Sequence, residues 1–261
     1  MFDFHLHSKL SFDSTEDPCE IVKAAEQMGL KEICFTDHYD YNSEKEGHHD
    51  LFTVADYNRI YDNVNSDTVK VRRGVEFGLT TWNRQELENL VNQRNFDFVI
   101  GSVHYAGGLD PYFKEFWDGI TFEEAVDKYF LQMLACVKYH DNFDVLGHIT
   151  YVCKSEHNPT GKNIAYSMVS EITDEILKTV IEKGKGIEVN TSGIDRMCDF
   201  LPSAEYVKRF FELGGEIITV GSDSHNRSRV GQHTSDAVKM ISEFSPYICT
   251  FENRKPIFHK I

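Results

Sequence analysis

Two histidines stand at alternate positions at the start of the chain, His5 and His7 in Phe2-Asp3-Phe4-His5-Leu6-His7. On a β-strand this spacing points both imidazoles the same way, about 6 to 7 Å apart along the chain. Phe4 and Leu6 are then expected on the opposite face. Two neutral imidazoles so placed can converge on one ion, since zinc-type metals take nitrogen at roughly 2 Å. The same chemistry recurs downstream. Asp13 stands in the first polar loop, and His38 closes Thr36-Asp37-His38. Glu76 follows Gly74-Val75, His104 closes Gly101-Ser102-Val103-His104, and His148 follows Gly147. Asp223 and His225 share Ser222-Asp223-Ser224-His225. Each residue alone reads as readily as a solvated or hydrogen-bonded side chain. Nine nitrogen and oxygen donors together exceed the four to six positions of one first-row ion. Two to three divalent ions (zinc, iron or manganese) are expected, with a carboxylate bridging.

The elements that must carry these residues alternate between apolar strand patterns and helical stripes. Short strands are expected at 2–7, 32–36, 69–77, 96–104, 143–148, 186–190 and 216–221, and a last one near 247–251. Helices fall between them: from Pro18 to Gly29, 55–65, 84–93, 121–140, 168–183, 204–213 and 235–243. Pro18 suits a first helical turn. Thr121-Phe122-Glu123-Glu124 has the pattern of a capping box. Asn83 or the preceding threonines would cap 84–93. Strand–helix alternation without a linker or repeat implies a mostly parallel sheet in one domain, 1–261. Polar residues end nearly every strand, which favours a β/α barrel with one active rim over an open sheet with one crevice.

Composition narrows the partners. A formal charge of -15 argues against nucleic acid and anionic membranes. A phosphate could still bind if metal ions reverse the sign locally. The six cysteines form no C-x-x-C pair, and no apolar run approaches the ~18 residues of a membrane span. A soluble cytoplasmic protein with reduced thiols is expected, its oligomeric state open.

The ordered set F-H-x-H-S, T-D-H, G-x-E, G-S-V-H, G-H and S-D-S-H, from Phe4 to Gly231, resembles the PHP (polymerase and histidinol phosphatase) family. The resemblance implies a distorted seven-stranded β/α barrel with a trinuclear metal centre. It assigns His5 and His7 to one ion together with Glu76 and Asp223. Glu76 would bridge to a second ion held by His104 and His148, and Asp13, His38 and His225 would hold the third. Many members carry histidine where Asp13 stands. Glu188-x-Asn190-Thr191-Ser192-Gly193 is similar to the histidinol-phosphate phosphatases within the family. That resemblance makes Lys154 and Arg196 the phosphate-binding cations, although arginine is common at the place of Lys154 and a carboxylate at that of Thr150.

The implied reaction is hydrolysis of L-histidinol phosphate to L-histidinol and phosphate by a metal-bridging hydroxide. Glu76, Asp223 and His225 would act catalytically, with Asp223 or a metal-bound water giving the proton to the leaving group. Asp37 either orients a ligand or closes a turn. His48, His49, His157 and His233 are expected in solvent, and Tyr39 to Asp50 as an open loop near the substrate mouth. Arg227 and Arg229 face either phosphate or bulk water. Three other readings stay open. They are the same site acting on another small phosphoester (a nucleotide, an oligonucleotide end or phosphotyrosine), an amidohydrolase-like C–N hydrolase, and a non-catalytic metal-binding protein. Glu76 on the third expected strand, and not a bridge from a middle strand, counts against the amidohydrolase.

Overall fold

The computed structural model describes residues 1–41 and 49–261. Its strands are β1 (Phe2–Leu6), β2 (Glu32–Phe35), β3 (His38–Tyr41), β4 (His49–Asp50), β5 (Lys70–Gly78), β6 (Phe98–Ser102), β7 (Val145–Leu146), β8 (Gly186–Asn190), β9 (Ile218–Gly221), β10 (Tyr247–Glu252) and β11 (Lys255–Lys260). The helices between them are α1 (Pro18–Gln27), α2 (Val54–Tyr61), α3 (Arg84–Gln93), α4 (Lys114–Trp117), α5 (Phe122–Tyr139), α6 (Ser170–Glu182), α7 (Ile194–Met197), α8 (Ala204–Glu212) and α9 (Thr234–Ile241).

Seven strands run in the order β1-β2-β5-β6-β7-β8-β9, every neighbouring pair parallel. The sheet closes where the chain after β9 meets β1. His7 N donates to Ser224 O at 3.0 Å and Asp223 N to His5 O at 2.9 Å. This is the expected distorted seven-stranded β/α barrel. Val75, Phe77, Val99, Leu146, Ile187 and Val189 point outward onto the helices, while Phe4, Cys34, Phe98, Ile100 and Val145 fill the floor beneath the polar rim. The hairpin β10–β11 plugs that floor from below, with Phe251 4.8 Å from Phe98 and Phe98 5.6 Å from Phe4, centroid to centroid. Each such buried ring contributes about 1.5–3 kcal/mol.

Two local expectations need correction. Phe4 does not lie opposite the histidines, because the β1–β2 register shifts between Asp3 and Leu6. A bulge places two residues against one and re-aims their side chains. Phe4 therefore joins the floor and His5 the rim, while Leu6 alone packs outward. Asn83 stands at the start of α3 without capping it. Its side chain instead accepts from Thr80 N at 3.0 Å and donates to Gly78 O at 2.7 Å, tying off the end of β5. Elsewhere the local chemistry holds. Asp17 caps α1 ahead of Pro18, and Thr121 and Glu124 form the reciprocal capping box of α5. Gly29 takes φ +68° to end α1, a conformation that costs glycine no Cβ clash.

The Thr36-Asp37-His38 motif is a break in a strand as well as its end. β2 pairs β5 at 32–35 against 70–73, the chain steps out at Thr36-Asp37, and β3 resumes the pairing with His38 beside Glu76. Tyr39 to Tyr41 thus belong to β3, which pairs antiparallel with β4. The remainder of the expected open loop, 42–48 with His48, lies outside the described residues.

Candidate active site at the barrel rim

Every strand of the barrel except β2 delivers a polar side chain to one end, and β3 supplies one in its place. His5 and His7 come from β1 and its end, His38 from β3 and Glu76 from β5. His104 and His148 follow β6 and β7, Glu188 comes from β8, and Asp223 and His225 follow β9. Glu76 sits at the centre and is fully buried. Its Oε2 lies 3.2 Å from His5 Nε2, 3.5 Å from His7 Nε2 and 3.0 Å from His38 Nδ1. Its Oε1 lies 2.8 Å from His148 Nε2 and 3.2 Å from His104 Nε2. Asp223 Oδ1 approaches His7 Nε2 at 3.3 Å and His5 Nε2 at 3.7 Å. At the outer end Asp13 Oδ2 reaches His225 Nε2 at 3.1 Å and His38 Nε2 at 3.6 Å, although the Asp13 side chain is about a third exposed. All nine expected ligands therefore meet in one cluster.

Outer partners fix which nitrogen faces inward in His5, His7, His104 and His225. His5 Nδ1 donates to Glu188 Oε1 at 2.6 Å and His104 Nδ1 to Asp40 Oδ1 at 2.9 Å. His225 Nδ1 donates to Asp223 O at 3.0 Å. Ser11 Oγ donates to Asp37 Oδ1 at 2.9 Å and so accepts from His7 Nδ1 at 2.9 Å. Asp37 also takes Ser8 N at 2.7 Å and the Tyr61 hydroxyl. Asp37 thus reaches the His7 ring through Ser11. In each of these rings the proton is outside, leaving the Nε2 lone pair toward Glu76, Asp223 or Asp13.

This donor set suits cations. His5 Nε2, His7 Nε2, His38 Nδ1 and Glu76 Oε2 are buried and have no hydrogen-bond partner. Buried polar atoms are ordinarily satisfied, so four together in one place call for a ligand. His104 Nε2 lies 3.4 Å from His148 Nε2, and His225 Nε2 3.4 Å from His38 Nε2. Lone pairs at that separation repel unless something positive lies between. About 3.3 Å is also the edge of a tetrahedron of nitrogens at roughly 2.0 Å from zinc. Four compatible groups are present among the described residues: His5-His7-Glu76, Glu76-His104-His148, His7-His38-His225 and His38-Asp40-His104.

Protons alone serve the cluster poorly. Burial pushes the Glu76 carboxyl up, but His5, His104 and His38 outweigh it and hold it well below the usual range. Burial works against a charged His5, yet Glu188, Glu76 and Asp223 raise it well above an ordinary imidazole. His7 moves the other way, driven well down by burial and by His225 and His38. A metal ion relieves both conflicts, because it takes lone pairs from all the rings without adding a proton to any.

A cavity of about 510 Å³ opens above the cluster. Its lining includes Lys154, whose Nζ holds Asp223 Oδ2 at 2.7 Å, together with Ser192 and Arg229. Asp110, Phe12, Tyr112 and Phe113 line it too. Arg196 is not part of the wall. It is exposed on α7 and donates to the Lys154 carbonyl at 3.0 Å. Arg229 lines the cavity and is braced by Asp195 at 2.7 Å, whereas Arg227 pairs with Glu20 and Glu16 away from it. His157 is half-buried beside Glu156, and His233 lies between Asp195 and Asp236.

Sequence reading passed over Asp40. It lies in a polar stretch with no motif around it, and only the turn of β3 brings it to His104 and, at 3.5 Å, to His38. Glu188 was legible as part of a resemblance but without a role. Gly78 leaves room for Asp40, since a Cβ there would fall on Asp40 Oδ1.

A β/α barrel whose rim gathers this many donors has the architecture of a metal-dependent hydrolase. A model of the PHP domain matches residues 3–192. A probable histidinol-phosphatase of Clostridium acetobutylicum is 34% identical over 99% of this chain and 96% of its own length. The histidinol-phosphatase of Lactococcus lactis is 34% identical over 87% of this chain and 85% of its own. A crystal structure of histidinol phosphate phosphatase from L. lactis, in complex with zinc, L-histidinol and phosphate, superposes with a TM-score of 0.86. It is 30% identical and covers 98% of both chains. A Listeria monocytogenes chain at 18% identity and TM-score 0.74 shares the fold, over 90% of this chain and 99% of its own. The chain belongs to the PHP domain family.

Proposed function

We propose that the protein is a metal-dependent phosphomonoesterase that hydrolyses L-histidinol phosphate to L-histidinol and phosphate. The observation that carries this reading is the make-up of the cavity lining. His38, His104, His148, Asp223 and His225 line it with Lys154, and so do the Asp110 carboxylate and the rings of Phe12, Tyr112 and Phe113. The substrate has the matching ends, a phosphate dianion and an aminoalkyl imidazole. The relative solved with zinc, L-histidinol and phosphate supports the same assignment.

Two to three divalent ions held by His5, His7, Asp13, His38, Glu76, His104, His148, Asp223 and His225 would supply a nucleophilic water at neutral pH and positive charge for the phosphoryl oxygens. The chain's own groups do the rest. Glu76 would be shared between ions, since its Oε2 faces His5, His7 and His38 and its Oε1 faces His104 and His148. Lys154 offers a cation to the phosphoryl group, and Asp223 Oδ2 holds that ammonium in the cavity lining at 2.7 Å. Ser192 Oγ adds a hydroxyl 3.2 Å from the same carboxylate oxygen. Asp223 is the candidate to pass the leaving alkoxide its proton, and His225 would act beside it as a ligand. Asp110 Oδ1 accepts from Tyr112 N at 2.8 Å and the Tyr151 hydroxyl at 3.1 Å, so the carboxylate is fixed facing the cavity. It suits the substrate ammonium, and Phe12, Tyr112 and Phe113 suit the imidazole. Arg196 would contribute through Lys154, whose carbonyl it holds.

The whole chain, 1–261, is read as one PHP-type domain, because Asp223 and His225 lie beyond the matched residues 3–192 and complete the same rim. Among the described residues no helix is long and apolar enough to cross a membrane. The six free thiols and the -15 charge support a cytoplasmic protein with a small-molecule substrate and no nucleic-acid partner.

The test is phosphate release from L-histidinol phosphate beside p-nitrophenyl phosphate and a nucleoside monophosphate. The reading predicts a clear kcat/KM preference for the first. Equal turnover of all three would leave a phosphoesterase but remove this substrate.

A further inference from the structure

Asp3 is fully buried, two residues ahead of the first histidine, and touches none of the metal donors with its side chain. Its carboxylate takes up four uncharged donors. Oδ1 accepts from Ser222 N at 2.8 Å and from His5 N at 3.4 Å, and Oδ2 accepts from Ser222 Oγ at 2.5 Å and from Gly231 N at 2.8 Å. Ser222 and Gly231 are the two ends of the loop that follows β9. One carboxylate on β1 therefore pins both ends of a segment that presents Asp223, His225 and Arg229 to the cavity.

That segment needs holding. Asp223 has a positive φ of 54°, in the left-handed region that non-glycine residues adopt at a cost. The conformation turns Asp223 Oδ1 toward His5 and His7 while its amide stays on His5 O. His225, two residues on, is aimed at His38 and Asp13. The bonds of Asp223 N to His5 O and of His7 N to Ser224 O also hold the turn, and loss of the tie at Ser222 would loosen its first residue and with it the aim of both side chains.

We propose that Asp3 is a positioning residue of the metal centre, holding the Ser222–Gly231 loop so that Asp223 and His225 are set to bind an ion. The inference rests on the reading of the rim as a metal centre. It requires a carboxylate and not merely a polar group of that size. Asparagine offers one acceptor oxygen, and its amide would meet the donors of Ser222 or Gly231 head-on.

The experiment is calorimetric titration of manganese or zinc into chelator-stripped protein, for the parent, Asp3→Asn and Ser222→Ala. Circular dichroism and thermal melting of the stripped forms run alongside. In Asp3→Asn the weakest ion is expected to lose about 10- to 100-fold in affinity, the range for partners that orient metal ligands. The ion between Glu76, His104 and His148 should bind as in the parent. Excess metal should restore kcat with KM unchanged, which a merely destabilised fold would not show. Ser222→Ala, which keeps the backbone bond, should lose less at the same ion, and it decides the matter should Asp3→Asn fail to fold. Parental affinity for every ion in a folded Asp3→Asn, or in Ser222→Ala where Asp3→Asn does not fold, overturns the proposal. A parent that binds no ion would overturn the metal-centre reading itself.

Discussion

His5 and Glu188 meet inside the barrel with Nδ1 2.6 Å from Oε1, both side chains fully out of water. The other Glu188 oxygen accepts from His148 N at 3.0 Å. One carboxylate on β8 thus steadies two rim histidines that arise 143 residues apart, as 148 less 5 gives. Gly221 makes the arrangement possible, since a Cβ there would approach Glu188 Oε1 at 2.6 Å. Glu188→Gln keeps the shape and removes the charge behind His5. It should lower metal affinity or turnover about 10- to 100-fold while the chain stays folded. Metal content after dialysis, measured beside kcat, checks this. Full occupancy with parental kcat would show that Glu188 only fills space.

Lys154 lines the cavity on Asp223, and Arg196 stands outside the lining. Lys154→Met should therefore weaken capture of the phosphate ester more than Arg196→Met does. A charge-assisted bond of about 1.5–3 kcal/mol corresponds to roughly 10- to 150-fold in kcat/KM. Inhibition by inorganic phosphate should weaken in parallel. An Arg196 variant with the larger defect would mean that its guanidinium swings into the cavity when substrate is present.

A pH effect separate from the rim comes from His140 at the end of α5. Nε2 donates to Thr80 O at 2.7 Å. Burial lowers its pKa below that of a free imidazole; the bond to Thr80 opposes this, and Arg84 and Lys183 reinforce it. The unfolded chain takes up this proton near pH 6.5 and the folded chain only at lower pH. Stability thus falls as pH drops from about 7 toward the folded pKa. His140→Phe should flatten the unfolding free energy over that range by up to one proton, about 1.4 kcal/mol per pH unit. It should also cost about 1 kcal/mol at higher pH for the lost hydrogen bond. Urea melts from about pH 5.5 to 7.5 decide it, an unchanged slope counting against the assignment.

What could be read in advance follows from how local each signal is. The histidines of the rim are legible because each ends a short apolar run, and a parallel barrel sends all such ends to one face. The capping box of α5 is a four-residue pattern and appears as written. Phe4 misled because a bulge depends on the partner strand, which spacing within β1 does not show. Asp40 and Asp3 act on groups 64 and 219 residues away, so no local pattern marks them. Arg196 carries the right charge at the right distance from a motif, but α7 turns it onto Lys154 O.

On the proposed function, the unpartnered donors around Glu76 form a polymetal centre that performs the hydrolysis. Counting bound metal by mass spectrometry in the parent and in Glu76→Gln, with kcat for L-histidinol phosphate and melting of the stripped proteins, tests it most directly. Two to three divalent ions per parental chain are expected, fewer in Glu76→Gln, with loss of nearly all turnover. The stripped variant should melt no lower than the stripped parent. A variant that keeps its metals and its turnover, or a parent that turns over substrate without metal, would contradict it.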